Sequence, residues 1–217
     1  MIVEPPCFLR GTRIATPAGE KPIEDLKIGD RVTTADGGVA DLKWIGVRRF
    51  RGHFFRWPEG LRPIRIKRGA LGRGVPRRDL FVSPNHALLI DGVLVEAHLL
   101  TNDVSIVRVK PATGAWLDYF NPEIAAHGAI LAEGVAAETY LDCGNRESFG
   151  NFAEYYARYG KTAPAAASFA PRIVRPWRID WPPAAQCPGI AYTADPGPIL
   201  TAIRARIDAY AEALPAG

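Results

Sequence analysis

The chain has 217 residues, 47% of them hydrophobic, and a formal net charge of +4. A chain of this length buries a sizeable core, as one domain or as one domain with an appendage. No run approaches the ~20 apolar residues of a membrane-spanning helix, and residues 1–15 lack the basic start and apolar run of a secretory signal. We therefore expect a soluble globular protein, with localisation open between the cytoplasm and a signal-independent export route.

Charge and cysteine usage exclude further classes. The basic residues between positions 48 and 78 stand in short clusters, which are more typical of solvated loops and strand edges than of a nucleic-acid interface. The three cysteines, Cys7, Cys143 and Cys187, are too few for a disulfide framework and form no Cys-x-x-Cys pair. Cys143 and Cys187 are predicted to be small, buried or partly buried residues, and neither a metal nor a cofactor is expected.

From Cys7 to about residue 146 the chain consists of short apolar runs separated by turn signals. Asp91-Gly92 marks the clearest hairpin, because Asp-Gly supplies the positive φ angles of a two-residue turn. Many short strands at close spacing, with almost no helical period, predict an all-β domain. The predicted strands are Arg13–Thr16, Arg31–Thr34, Leu42–Val47, Leu61–Ile66, Phe81–Ser83, Ala87–Ile90, Val93–Ala97, Ser105–Lys110, Trp116–Phe120, Ala129–Ala132 and Thr139–Asp142.

The pattern changes after residue 148. Phe149–Tyr159 is predicted to be a short helix closed by Gly160, and residues 162–171 resemble a linker rich in alanine and proline. A second helix is predicted after Asp195. We therefore expect a leader (residues 1–6), a β domain (residues 7–148) and a C-terminal extension (residues 149–217) with one or two helices.

This extension is predicted to dock on the β domain without a part in its chemistry. Its second helix carries one apolar stripe, which favours packing on protein over binding of a cofactor or membrane. Trp177 or Trp181 is expected to clamp the connecting segment. The stripe consists of Ile199, Ile203, Ile207, Tyr210 and Leu214.

Cys7 opens the most informative segment, which reads Cys7-Phe-Leu-Arg-Gly-Thr-Arg and continues to Pro22-Ile-Glu-Asp-Leu-Lys-Ile-Gly-Asp. A cysteine thiolate can attack the carbonyl carbon that precedes it, giving a thioester and a free amine. The departing nitrogen must be protonated, a task for which histidine is suited. Ser83-Pro-Asn-His86, between two strand-like runs, supplies a hydroxyl and an imidazole.

Together these segments resemble the Hedgehog/intein (Hint) family of autoprocessing domains, over residues 7 to about 146. The resemblance implies a compact, horseshoe-like β fold with many short strands. Ser83 and His86 match the family's Thr-x-x-His element, with serine keeping the hydroxyl. His127 matches a late histidine of the family, and Asn121 stands where an aspartate is expected, so proton transfer from that position is lost.

The resemblance implies a single-turnover reaction in which the chain is its own substrate. An intramolecular N–S acyl shift would give a thioester, which water or a small nucleophile resolves in a self-cleavage. Splicing is not expected, because neither Asn145 nor Asn151 is followed by Cys, Ser or Thr. The implied site comprises the scissile bond Pro6–Cys7, the nucleophile Cys7, His86 assisting amide departure, Ser83 and His127 in support, and Asn121 as a neighbour.

Two other functions remain open from the sequence. Asn121, the stiff Pro6 and the short leader favour a catalytically degenerate Hint-fold module with a structural or protein-interaction role. A cysteine hydrolase acting on other molecules through Cys7 and His86 is the third possibility, although no substrate cleft is evident.

Autoprocessing makes geometric demands. Cys7 is expected to be buried beside the strand that carries His127, since the nucleophile must be shielded and fixed. An imidazole nitrogen of His86 is expected near the Cys7 backbone nitrogen. His53 and His98 are expected away from the site.

Overall fold

A computed structural model of the protein describes residues 6–52, 57–161, 167–173, 190–193 and 195–214. The expectations for the leader before Pro6, and for His53, Trp177, Trp181 and Cys187, fall outside these residues. The strands are β1 (Phe8–Leu9), β2 (Arg13–Thr16), β3 (Gly19–Pro22), β4 (Arg31–Thr33), β5 (Val39–Arg51), β6 (Ile64–Ile66), β7 (Leu80–Val82), β8 (Ala87–Ile90), β9 (Val93–Glu96), β10 (Ile106–Arg108), β11 (Trp116–Ile124), β12 (Ala129–Ala132), β13 (Val135–Glu138) and β14 (Arg172–Ile173). The helices are α1 (Phe152–Tyr159) and α2 (Pro196–Glu212).

The strands form two seven-stranded sheets, so the predicted all-β domain is confirmed. The first sheet has the order β10-β6-β7-β1-β11-β5-β4, and the second has the order β14-β9-β8-β13-β12-β2-β3. Pairing is antiparallel except between β14 and β9, which are parallel. One edge strand of the second sheet, β14, therefore comes from the C-terminal extension.

The strand predictions succeed where local turn chemistry sets the boundaries. Arg13–Thr16, Ala87–Ile90 and Ala129–Ala132 are strands with the predicted bounds. Asp91 and Gly92 have φ angles of 51° and 79° between β8 and β9, as the hairpin turn requires.

The strand predicted over Thr139–Asp142 is wrong. Glu133 and Gly134, with φ angles of 51° and 82°, form a tight turn after β12. Pairing therefore begins at once and uses Val135–Glu138. The chain then leaves the sheet, and the backbone N–H of Tyr140 donates to the carbonyl of Pro122.

Both helices of the extension are present. The first begins three residues later than the predicted Phe149–Tyr159 and ends at Gly160, whose φ is 72°. The second begins after Asp195, whose side chain accepts a hydrogen bond of 3.3 Å from the N–H of Gly197, as an N-cap does.

The extension contributes to both apolar clusters of the protein. The larger cluster draws on the two sheets, and Ile173, Ile203 and Ile207 are buried in it. The predicted stripe of α2 therefore packs on protein. The smaller cluster contains Cys7, Trp44, Trp57, Leu117, Tyr119, Tyr140, Phe149 and Tyr155.

Gly46 on β5 allows the extension to approach the sheet closely. A Cβ at this position would lie 2.5 Å from Cδ1 of Phe149. Gly46 is paired with Asn121 of β11. The start of the extension thus packs one strand away from a predicted site residue.

Cys143 is partly buried, as predicted, and it is also disulfide-bonded, which the spacing of the cysteines did not predict. No helix within the described ranges is long and apolar enough to cross a membrane.

Ile207→Ala should lower the free energy of unfolding by about 2–5 kcal/mol, because it leaves a cavity beneath α2. Thr201→Ala, on the exposed face of the same helix, is the control and should change it by less than about 0.5 kcal/mol. Denaturant titration measures both. Equal effects would contradict the packing of α2 on the shared core.

Candidate active site

Cys7 is buried at the entrance to β1, with 1% of its surface exposed. Its backbone N–H donates to Oγ of Ser83 at 2.9 Å, and its carbonyl accepts from the N–H of Ser83 at 2.8 Å. Strand β1 lies between β7 and β11, so the position follows from the sheet. The backbone of Cys7 is therefore held by both the hydroxyl and the main chain of Ser83.

The turn from Ser83 to His86 brings the imidazole to the same place. The N–H of His86 donates to the Ser83 carbonyl at 3.1 Å, and the His86 carbonyl accepts from Ala97 at 2.9 Å. The His86 ring packs on Phe8 with 4.1 Å between centroids. The structure thus brings Cys7, Ser83 and His86 together.

His86 is completely buried, and burial lowers the pKa of its imidazole to about 4. The Glu138 carboxylate acts against this effect and raises the pKa, whereas Arg172 lowers it. Neither ring nitrogen makes a well-formed hydrogen bond with any of the described residues, although backbone atoms of Cys7 and Glu138 lie close enough to raise the pKa. His86 is therefore neutral at pH 7 and can accept a proton there.

Glu138, at the end of β13, is completely buried and carries the negative charge nearest to these groups. Its Oε1 accepts from the N–H of Ala87 at 2.8 Å, and its Oε2 accepts from the guanidinium of Arg172. Burial by itself raises the pKa of Glu138, but Arg172 and His127 outweigh it and bring the pKa to about 2. The residue is therefore an anion at physiological pH.

His127 lies beside Glu138, in the bend between β11 and β12. Its Nε2 is 3.7 Å from Oε2 of Glu138, and its Nδ1 accepts from the N–H of Phe169 at 3.4 Å. In the neutral ring the proton is then on Nε2, facing the carboxylate. The sequence predicts that Cys7 lies beside the strand that carries His127. In the structure the strand beside Cys7 is β11, which carries Asn121, and His127 follows the end of that strand.

Asn121 is completely buried next to the Cys7 end of β1. Phe8 is paired with Phe120, so one further step of the antiparallel register places Cys7 opposite Asn121. Neither its Oδ1 nor its Nδ2 has a hydrogen-bond partner among the residues that the structure describes. A buried amide without partners is rare and costly, and is a feature of functional sites.

The sequence patterns did not predict two charged members of this site, Glu138 and Arg172. Glu138 closes a strand that was predicted elsewhere, and Arg172 directly follows the predicted linker of residues 162–171. His98, expected away from the site, contacts the turn that carries His86: its Nδ1 is 3.1 Å from the carbonyl oxygen of Pro84. A charge inside an apolar strand, as in Val135–Glu138, is the signal that could have found Glu138.

A cysteine buried beside a serine and a histidine from one turn, within two β-sheets, defines the class of the protein. The family model of the Hint domain matches residues 6–144. The chain therefore belongs to the Hint-domain family, whose fold is that of self-processing domains.

Solved structures of inteins are similar in fold. The gp41-1 intein has a TM-score of 0.42 and 12% sequence identity, over 62% of this chain and 98% of that chain. The MchDnaB-1 intein has a TM-score of 0.40 and 15% identity, over 61% and 99%. The bacterial intein-like domain from Clostridium thermocellum has a TM-score of 0.36 and 15% identity, over 62% and 98%. No curated protein sequence matches the chain.

The burial of His86 should make the protein sensitive to acid. The pKa of His86 is about 4 when folded against 6.5 for an ordinary histidine, so the unfolded chain binds the proton first as pH falls. The free energy of unfolding should therefore decrease below pH 6.5, by about 3 kcal/mol in total for this group. Denaturant titrations between pH 7 and 4.8, in a Cys7→Ala background, measure the effect.

His86→Gln in the same background is the matched variant, since glutamine does not titrate. Its free energy of unfolding should fall less steeply over this range. The range stays above the ordinary pKa of glutamate, 4.5, so Glu138 contributes little to either slope. Equal slopes in the two proteins would show that His86 is not buried in its neutral form.

Proposed function

We propose that the protein cleaves its own chain by an intramolecular N–S acyl shift at the Pro6–Cys7 bond, without splicing. The observation that carries the proposal is the pair of hydrogen bonds between Cys7 and Ser83, next to a buried imidazole. They hold the scissile peptide at a fixed position against the groups that would react with it. Such positioning is a main source of rate in intramolecular reactions.

The first step is the attack of sulfur on carbon. Neutral His86 accepts the proton of the Cys7 thiol, and the sulfur forms a bond to the carbonyl carbon of Pro6. The π electrons of that carbonyl move to its oxygen, giving a tetrahedral oxyanion. The low pKa of His86 keeps the imidazole in its neutral form at pH 7, so it is available for this step, although the same low pKa makes it a weak base.

The second step breaks the peptide bond. The imidazolium of His86 donates its proton to the nitrogen of Cys7, the carbonyl re-forms, and the C–N bond breaks. A buried imidazolium with a low pKa is a strong acid, which favours this transfer. The products are a thioester of Pro6 on the Cys7 sulfur and a free amine at Cys7.

Asn121 has the role of oxyanion donor in this proposal. Its Nδ2 has no hydrogen-bond partner within the described part of the chain, and the proposal is supported by the strand register, which pairs Phe8 with Phe120 and so brings Asn121 opposite Cys7. An amide N–H aimed at developing negative charge stabilises a tetrahedral intermediate without transferring a proton. This role suits asparagine, whereas an aspartate would add a like charge.

The thioester is resolved from outside. Water attacks the thioester carbon, releases the Pro6 carboxylate and returns the Cys7 thiol, so the reaction is hydrolysis of one peptide bond. A small nucleophile such as hydroxylamine does the same and leaves a hydroxamate. His127 acts through Glu138, which it contacts, rather than on the scissile bond.

Purified protein incubated with hydroxylamine should lose the mass of Met1–Pro6. Cys7→Ala should abolish the release, because no thioester forms, and His86→Gln should slow it by about 10²–10⁴, the range for a lost acid–base group. Intact-mass spectrometry measures the released fraction over time. Far-UV circular dichroism of both variants should match the wild type.

An unchanged mass after long incubation would contradict the proposal if Pro6→Gly is also inert. Proline is a stiff, hindered carrier of the attacked carbonyl, so glycine should accelerate a slow site. Two inert proteins would identify the chain as a non-catalytic Hint-fold module with a structural or interaction role.

Substitutions of Asn121 separate an oxyanion donor from an acid–base group. Asn121→Leu should slow peptide release by about 10²–10³, as the loss of one oxyanion donor does. Asn121→Asp should also slow it at pH 7, because a carboxylate repels the oxyanion. Release that is faster in Asn121→Asp than in the wild type would assign proton transfer to this position instead.

A further inference from the structure

The C-terminal extension brings a charged side chain into the site. Strand β14 pairs with β9 in the register Arg172 to Leu94 and Ile173 to Val95. The N–H of Leu94 donates to the carbonyl of Pro171 at 2.8 Å, and the N–H of Arg172 donates to Ala191 at 2.8 Å. The segment is thus fixed by main-chain bonds on both sides.

The guanidinium of Arg172 contacts two carboxylates, those of Glu138 and Glu96. One nitrogen donates to Oε2 of Glu138, and the other is 3.5 Å from Oε1 of Glu96. Arg172 has only 8% of its surface exposed and Glu138 has none. Burial of either charge alone would be strongly unfavourable, so the loss of one partner would leave the other as an uncompensated buried charge.

We propose that Arg172 is a positioning residue of the processing site, and that docking of the C-terminal segment on β9 sets the protonation state of His86 through Glu138. Its effect on cleavage rests on the proposed function. Arg172 lies outside residues 6–144, the part of the chain that the family model matches. The expectation that the extension has no part in the chemistry does not fit this placement.

The physical argument concerns competition for a proton. Glu138 lies close enough to His86 to raise the pKa of the imidazole, whereas Arg172 lowers it. With Arg172 docked, the negative charge of Glu138 is matched by a guanidinium, and His86 stays neutral. Without Arg172, the pKa of His86 would rise, so the imidazole would become protonated at a higher pH than in the wild type, and below that pH it could not accept the thiol proton of Cys7.

The other charged and titratable groups around Arg172 and Glu138 do not supply a second permanent positive charge. His127 faces Glu138 from the bend before β12. Glu96 faces Arg172 from the end of β9, with His98 3.4 Å from Glu96. Tyr192 interacts with Arg172 from the segment beside β14. Arg172 is therefore the permanent positive charge among these groups, the histidines being charged only when protonated.

Imidazole NMR of the intact Cys7→Ala protein tests the inference without any cleavage. Arg172→Met should raise the proton affinity of His86 at least tenfold, which is a rise of about one unit in its pKa. Glu138→Gln should lower the pKa of His86 below that of the parent. Arg172→Lys should stay close to the parent, since it retains the charge. Arg206→Met, which removes an exposed arginine of α2 paired with Asp91 at 2.7 Å, is the matched control and should change nothing.

Cleavage gives the second measurement. In proteins with Cys7 intact, Arg172→Met should shift the acid limb of the pH–rate profile for peptide release to higher pH, while Arg206→Met keeps the wild-type profile. A His86 titration that is the same in Arg172→Met as in the parent would overturn the inference, whether or not the wild type cleaves. A shifted titration in a chain that never releases peptide would uphold the inference and refute the proposed function.

Stability does not decide the test. If Arg172→Met fails to fold, Arg172→Gln takes its place, since glutamine removes the charge and can still donate a hydrogen bond to Glu138. A purely structural role for Arg172 predicts the parent's His86 titration in Arg172→Gln, and that result would also overturn the inference. A raised pKa of His86 in Arg172→Gln, with Arg172→Lys near the parent, supports it.

Discussion

A carboxylate cut off from water must be matched by donors and positive charge, and Glu138 is such a group. Its oxygens accept from Ala87 and Arg172, and His127 lies beside it. These partners come from the start of β8, from the C-terminal extension and from the bend before β12. One buried anion therefore joins parts of the chain that are far apart in sequence, and it lies close enough to His86 to influence the pKa of the imidazole.

The strands were predictable because their signals are local. Asp91-Gly92 fixes a hairpin through its own φ angles, and the spacing of Ser83 and His86 places both side chains on one short turn. The charge cluster was not predictable, because Glu138 and Arg172 meet through parallel pairing of β14 with β9. No periodicity encodes a contact between residues 34 positions apart, and an arginine next to proline resembles any surface residue.

His127 shows a second limit of prediction from sequence. A motif match identified the residue, but its position in sequence says nothing about which way the bend turns it. In the structure it faces Glu138, and Asn121 of the neighbouring strand takes the place beside Cys7 that the motif implied for an acid. The asparagine cannot transfer a proton, but it brings to the Cys7 end of β1 a buried N–H that has no partner among the described residues.

The sharing of both apolar clusters with the extension has a consequence for the order of events during synthesis. Cys7 emerges from the ribosome first, whereas the arginine that matches Glu138 emerges more than 160 residues later. Until then the carboxylate lacks its guanidinium, the second sheet lacks β14, and the larger cluster lacks Ile173 and Ile207. Cys7 is therefore synthesised well before Arg172, so in the proposed reaction the Pro6–Cys7 bond would become reactive only after β14 has docked on β9.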